Sequence, residues 1–179
     1  MIIMKLKYSS LPPDVSVYNH KSYSDLRGSL TCIHETNDPL NINGCSTKLS
    51  KSRDNVARGM HWQNKNCPQK KIITLLHGSI IDFLLNVDVN STEFGKFYAY
   101  ELKSSDKLTL SIPDHYAHGF LTLEETTFFY KCDGRYSPSN EISINIIDLI
   151  STYTDLNIDG VLLSSKDKNA PKLNELTFI

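Results

Sequence analysis

The chain has 179 residues, 40% of them hydrophobic, with 19 Lys and Arg set against 20 Asp and Glu. That length and apolar fraction predict a single domain over residues 1–179 with a packed core, and a near-zero net charge argues against a nucleic-acid or membrane-surface partner, which would need a basic excess. No apolar run approaches the roughly 20 residues of a membrane span, residues 1–7 are too soon charged for a secretory signal, and four scattered cysteines (Cys32, Cys45, Cys67, Cys132) suggest neither a zinc cluster nor a disulfide framework, so a cytoplasmic protein is expected.

Along the chain the first informative segment is Val56-Ala57-Arg58-Gly59-Met60-His61-Trp62-Gln63. Gly59 permits a bend or a close approach, and Arg58 and His61 fall on opposite parities of a regular strand. Pro68-Gln69-Lys70-Lys71 leads into an apolar strand over 71–76, so the Lys71 ammonium either enters a barrel or snorkels outward. Residues 80–89 alternate, with Ile81, Phe83, Leu85 and Val87 on one parity and Asp82 and Asn86 on the other. Strands follow over 97–102, 107–112 and 126–132, the last placing Phe128, Tyr130 and Cys132 on one face. Between the last two lies Ile112-Pro113-Asp114-His115-Tyr116-Ala117-His118-Gly119-Phe120, read as a proline turn carrying two histidines. Turn chemistry at Asn90-Ser91-Thr92, Ser104-Ser105-Asp106, Pro113-Asp114 and Asp133-Gly134 separates these runs. Residues 148–156 read as a short helix or a loop, and 164–171 as a turn or one helical turn. Short strands without helical periods between them predict an all-β fold, an antiparallel barrel or jelly roll with short peripheral helices.

Several chemistries are disfavoured. There is no His-x-His pair, Gln63 stands two beyond His61, and the i, i+3 spacing of His115 and His118 suits a helix face better than a strand, so no metal is expected. No Gly-x-Ser-x-Gly and no cysteine in an activating motif support a hydrolase. What remains is a histidine, lysine, tyrosine and carboxylate set suited to proton transfer beside a ketone. That reaction needs a base, a positive group at the developing enolate oxygen and an acid to return the proton.

Taken together, Arg58-Gly59-Met60-His61-Trp62-Gln63, Pro68-Gln69-Lys70-Lys71, Ser91-Thr92-Glu93-Phe94-Gly95, residues 112–120 and Tyr130-Lys131 give the chain a close resemblance. In order and spacing the chain resembles the dTDP-4-dehydrorhamnose 3,5-epimerase family, cupin-like β-barrels of deoxysugar biosynthesis, from Asp25 to Asp167. The resemblance implies an isomerase that needs no cofactor and acts on a nucleotide-diphospho-4-keto-deoxysugar, usually as a homodimer. It makes His61 the base and Asp167, in Leu163-Ser164-Ser165-Lys166-Asp167, the carboxylate that orients it. Lys71 is placed at the enolate oxygen, and Tyr130 returns a proton from the opposite ring face. His118 and Asp82 form a second pair lining the site. Arg27 and Arg58 meet the diphosphate, Gln63 joins the substrate-binding set, and Tyr136 stacks on the base.

This sequence departs from the family pattern in four places. The stretch between Arg27 and Arg58 is shorter, and Cys32 stands where a glutamate is usual, with Glu35 nearby. Ser46-Thr47-Lys48 replaces Gln-x-Asn, and Asn145-Ile146-Ile147-Asp148 replaces a Trp-Asn-Asp segment. Two alternatives rank below the epimerase: a nucleotide-sugar 3,4-ketoisomerase, whose first histidine usually sits in His-x-His, and a non-catalytic nucleotide-sugar-binding barrel, which would have no use for a complete acid–base set.

Overall fold

A computed structural model describes residues 11–34 and 46–176. Cys45 and Glu35 lie outside the described residues, as do residues 1–10. The described residues form twelve strands and two short α-helices. The strands are β1 (Ser16–Asn19), β2 (Lys21–Asp25), β3 (Gly28–Cys32), β4 (Ser46–Ser52), β5 (Ala57–Gln63), β6 (Lys71–His77), β7 (Ser79–Asn86), β8 (Phe97–Lys103), β9 (Leu108–Ile112), β10 (Tyr116–Thr122), β11 (Thr126–Cys132) and β12 (Glu141–Ser143). The helices are α1 (Ile146–Tyr153) and α2 (Ser165–Lys168). None is long and apolar enough to cross a membrane.

Two five-stranded antiparallel sheets face each other. The first runs β1-β9-β6-β11-β4 and the second β12-β5-β10-β7-β8, while β2 and β3 form a separate hairpin. The expected all-β architecture is what the chain adopts. Side-chain alternation explains the layering. On β7 the residues Ile80 and Leu84 enter the cluster between the sheets, together with Ile73, Leu110, Phe120 and Phe128. Their neighbours Ile81, Phe83 and Leu85 point the other way, into a second cluster with Met60, Ile146, Leu149 and Ile150. The second sheet is therefore buried on both faces, by the first sheet on one side and by α1 and the C-terminal segment on the other.

The two helices start where side chains cap them. Asn145 accepts hydrogen bonds from the backbone N–H groups of Ile147 and Asp148, so α1 begins two residues before the expected 148. Ile146, Leu149 and Ile150 form its buried i, i+3, i+4 stripe. Ser164 accepts from the Asp167 N–H and starts the single turn α2, as one of the two readings of this segment had it.

Two local readings need correction. The segment around His115 and His118 is not only a proline turn, because from Tyr116 it continues as β10, a central strand with every residue buried. His118 therefore sits on a strand facing the sheet interior, whereas His115 precedes it and pairs with Asp14 near the surface. The opposite parity expected of Arg58 and His61 also fails. In the pairing of β5 with β10, His61 lies opposite His118 and Arg58 opposite Phe120, which leaves one extra residue on β5. This bulge, with Gly59 at φ +116°, turns Arg58 and His61 to the same side. Only glycines suit the crossing, since a Cβ on Gly59 would lie 2.6 Å from the Gly119 Cα.

Candidate active site

A cavity of about 290 Å³ opens between the two sheets. Period-two alternation builds its first wall: Lys48 and Ser50 come from β4, Lys71 and Ile73 from β6, and Phe128, Tyr130 and Cys132 from β11. The opposite wall holds Arg58, His61 and Gln63 of β5, His118 and Phe120 of β10, and Glu141 of β12. Tyr136 and the α2 turn, with Lys166 and Asp167, complete the rim.

His61 Nε2 lies 2.6 Å from Asp167 Oδ1, with the carboxylate almost fully buried and the ring partly open to the cavity. Burial alone would raise the Asp167 carboxyl. The hydrogen bond and charge of His61, joined by Ser164, outweigh it and hold the carboxyl below its ordinary value. Asp167 is thus an anion at neutral pH and fixes the imidazole by one nitrogen. Lys71 reaches across from the other sheet and donates to the His61 carbonyl oxygen at 2.7 Å. Burial is the main reason its ammonium titrates low, at about 8, against weaker opposing contributions from Cys132, Glu141 and Asp82. Tyr130 faces His61 from β11, and burial, with Cys132 adding to it, pushes its phenol up, so it keeps its proton at neutral pH.

His118 Nε2 lies 2.7 Å from Asp82 Oδ1, both side chains being buried. His118 lines the cavity. Asp82 stands behind it and is not part of the wall, a correction to its expected place in the lining. Arg58 is aimed by Ser52 Oγ, which accepts from Nε at 3.0 Å, and by the Lys51 carbonyl. Gln63 accepts from the Ser137 N–H at 3.3 Å and so ties β5 to the loop that carries Tyr136. The Tyr136 hydroxyl donates to Glu141 Oε2, which Lys166 also engages.

Nine of the ten sequence-predicted site residues therefore gather at or directly behind one cavity. Arg27 does not. It sits at the turn of the β2–β3 hairpin, 90% exposed and paired with Asp25, away from the cavity of its own chain. Lys48, Gln69, Glu141 and Lys166 also line the cavity and were given no role from the sequence. For Gln69 a signal existed, because it precedes Lys71 by two residues and shares its parity. Its Nε2 is buried with no hydrogen-bond partner among the described residues. No group of three or more His, Cys, Asp or Glu able to hold a metal occurs among the described residues.

The sequence matches the family model described as dTDP-4-dehydrorhamnose 3,5-epimerase over residues 11–175. It is 32% identical over 173 residues to the dTDP-4-dehydrorhamnose 3,5-epimerase of Salmonella typhimurium, covering 91% of this chain and 92% of the relative. Its fold superposes on the crystal structure of the corresponding enzyme from Sulfolobus tokodaii with a TM-score of 0.83 and 30% identity, over 98% of this chain and 99% of that one. It superposes likewise on a Legionella pneumophila dTDP-6-deoxy-D-glucose-3,5-epimerase in complex with dTDP-4-keto-L-rhamnose, with a TM-score of 0.81 and 27% identity, over 95% and 93% of the two chains.

Proposed function

Because the chain belongs to the dTDP-4-dehydrorhamnose 3,5-epimerase family, we propose that its cavity inverts carbon 3, carbon 5 or both of a nucleoside-diphospho-4-keto-6-deoxysugar, with dTDP-4-keto-6-deoxyglucose as the first substrate to test. The chain is an isomerase; the proposal concerns its substrate and the work of each residue. The observation that carries it is the arrangement of His61 with Asp167 on one wall and Tyr130 on the other, with the Lys71 ammonium on the backbone carbonyl of His61.

In this reading His61 removes the proton from the carbon next to the ketone, and the C–H electron pair moves onto the ketone oxygen as an enolate. Lys71 stabilises that oxygen with its charge, which a partly buried site makes effective. Tyr130 then delivers its phenolic proton to the same carbon from the opposite face, which inverts the centre. Solvent restores the tyrosine proton and takes the one held by His61. Asp167 holds His61 in a single tautomer, and His118, backed by Asp82, lines the site beside it. Arg58 meets the diphosphate, while Tyr136 and Gln63 belong to the nucleotide end.

The reading takes the whole chain as one catalytic domain and places Arg27 in the site of a second copy. The hairpin that carries Arg27 exposes Tyr23, Leu26 and Leu30, an apolar set beside a guanidinium, which supports a homodimer in which each hairpin reaches the other cavity. The cytoplasm is the proposed compartment.

Deuterium uptake from heavy water into dTDP-4-keto-6-deoxyglucose, followed by NMR, tests the residue roles. Wild-type protein should exchange carbon 3, carbon 5 or both, and His61→Ala should lose at least 100-fold of that rate. Tyr130→Phe should still exchange yet yield little inverted product. Undiminished exchange in His61→Ala would remove His61 as the base, and a ketone moved to carbon 3 would make the enzyme a ketoisomerase.

A further inference from the structure

The charges lining the cavity do not cancel, and the excess has a location. Lys166 is engaged by Glu141, His61 faces Asp167, and Lys71 donates to the His61 carbonyl. Arg58, Lys48 and Lys71 have no carboxylate ion-pair partner among the described residues, and Lys71 already has its place at the ketone oxygen in the functional reading. Arg58 is held by neutral oxygens, and the Lys48 ammonium lies over two aromatic rings. Its Nζ lies 5.6 Å from the centre of the Tyr130 ring and 5.1 Å from that of Tyr136.

The strand register explains this position. On β4 the odd-numbered residues Thr47, Leu49 and Lys51 are exposed, while Ser46, Lys48 and Ser50 are half-buried on the inner face. Lys48 lies directly opposite Tyr130 on β11, the cross-strand arrangement in which side chains meet most closely. From there its ammonium reaches the second tyrosine at the rim. Contacts of this kind hold a flexible side chain in one place without neutralising it.

Covalent order in the substrate then limits what Lys48 can meet. This step rests on the functional reading above, in which Tyr130 works on the sugar and Tyr136 on the base. In a nucleoside-diphospho-sugar the group that joins those two ends is the diphosphate. A cation in contact with both tyrosines therefore sits beside the linker. We propose that Lys48 is a specificity-determining residue that binds the substrate diphosphate, acting with Arg58 on the same anion. A point charge with three donors suits phosphate oxygens, and the two rings pre-position it so that little side-chain freedom is lost on binding.

Calorimetric titration of the full chain with TDP and with thymidine tests this, because the two ligands differ only in the diphosphate. Lys48→Met keeps the length and apolar stem of the side chain and removes its charge. It should bind TDP about 10- to 100-fold more weakly, the loss of one charge-assisted contact, with thymidine affinity unchanged. Lys48→Arg should recover most of the loss. In steady-state assays of Lys48→Met the fall in kcat/KM should sit chiefly in KM. Equal weakening for TDP and thymidine would mean that Lys48 only props Tyr136, and undiminished TDP binding would mean that it does not touch the diphosphate. Either result overturns the proposal. Wild-type protein that binds neither ligand would overturn the nucleotide-sugar reading of the cavity itself, and the role of Lys48 with it.

Discussion

A lysine that steadies an enolate must hold its proton, and burial works against that. Lys71 is brought down to about 8, chiefly by desolvation, from an ordinary value near 10.4. As the pH rises through about 8 the ammonium is lost, and kcat/KM should fall tenfold per unit beyond that point. The effect on stability has the opposite sign. Between about 8 and 10.4 the unfolded chain holds more protons at this residue than the folded one, so its contribution to stability rises with pH across that window. Activity should therefore decline while the thermal melt, followed by circular dichroism, shows no loss of fold. A decline that tracks unfolding would instead assign the alkaline limb to the fold. At this scale the sequence carried the identities of His61, Lys71, Tyr130 and Asp167 only jointly, through their order and spacing. Taken singly, Lys71 fits a barrel interior and a solvated stem equally, and only the packing of the two sheets, which brings its ammonium to the His61 carbonyl, decides. The shared side of Arg58 and His61 was illegible for a stronger reason, since regular strand parity gives the wrong answer wherever a bulge adds a residue.

Elements show the same division between what pattern reveals and what pairing reveals. Strands β6, β7, β8, β9 and β11 carry alternating or continuous apolar runs, and each appears within a few residues of its expected limits. Strand β4 went unrecognised because Ser-Thr-Lys-Leu-Ser-Lys-Ser holds a single large apolar residue, Leu49, which points outward. Its inner face is polar because it lines a cavity and not a core, so the pattern that marks a strand was absent where the strand served the site. The β2–β3 hairpin is a different case. It is joined to neither sheet, and a two-stranded hairpin is marginal alone in water. Leu26 and Leu30 stand exposed on it beside Arg27. If the hairpin docks on a second copy, Leu30→Glu should shift the chain from dimer to monomer in sedimentation velocity, and KM should rise as the partner's cavity loses its Arg27. Arg27→Ala should raise KM without dissociating the dimer. A monomeric wild-type chain with full activity would remove the hairpin from the site altogether.

Across the whole molecule the two faces of the second sheet divide the work. The face toward the first sheet lines the cavity with His61, His118 and Arg58, and the reverse face meets α1 and the C-terminal segment through Met60, Phe83, Leu149 and Ile150. The barrel itself was legible, because short alternating strands with turn residues between them admit few other folds. The covering layer was less so, because eight residues of helix make a brief period and the segment after it packs Leu156, Ile158, Val161 and Leu163 at irregular intervals. That segment nevertheless brings Asp167 round to the cavity, which ties the covering layer to the chemistry through one turn capped by Ser164. The division can be tested by deleting equal chemistry on each side. Leu149 is 1% exposed on the covering side, so Leu149→Ala should cost about 2–4 kcal/mol of stability. At 25 °C the folded protein should keep kcat and KM close to wild type, because Leu149 does not line the cavity. Ile73, fully buried and part of the cavity wall beside Lys71, should behave differently on truncation to alanine, losing comparable stability and activity together. Chemical denaturation and steady-state kinetics on the two variants read both quantities. A Leu149→Ala enzyme that is folded but slow would show that the covering layer sets the geometry of the base, most directly through the α1-to-α2 segment that holds Asp167.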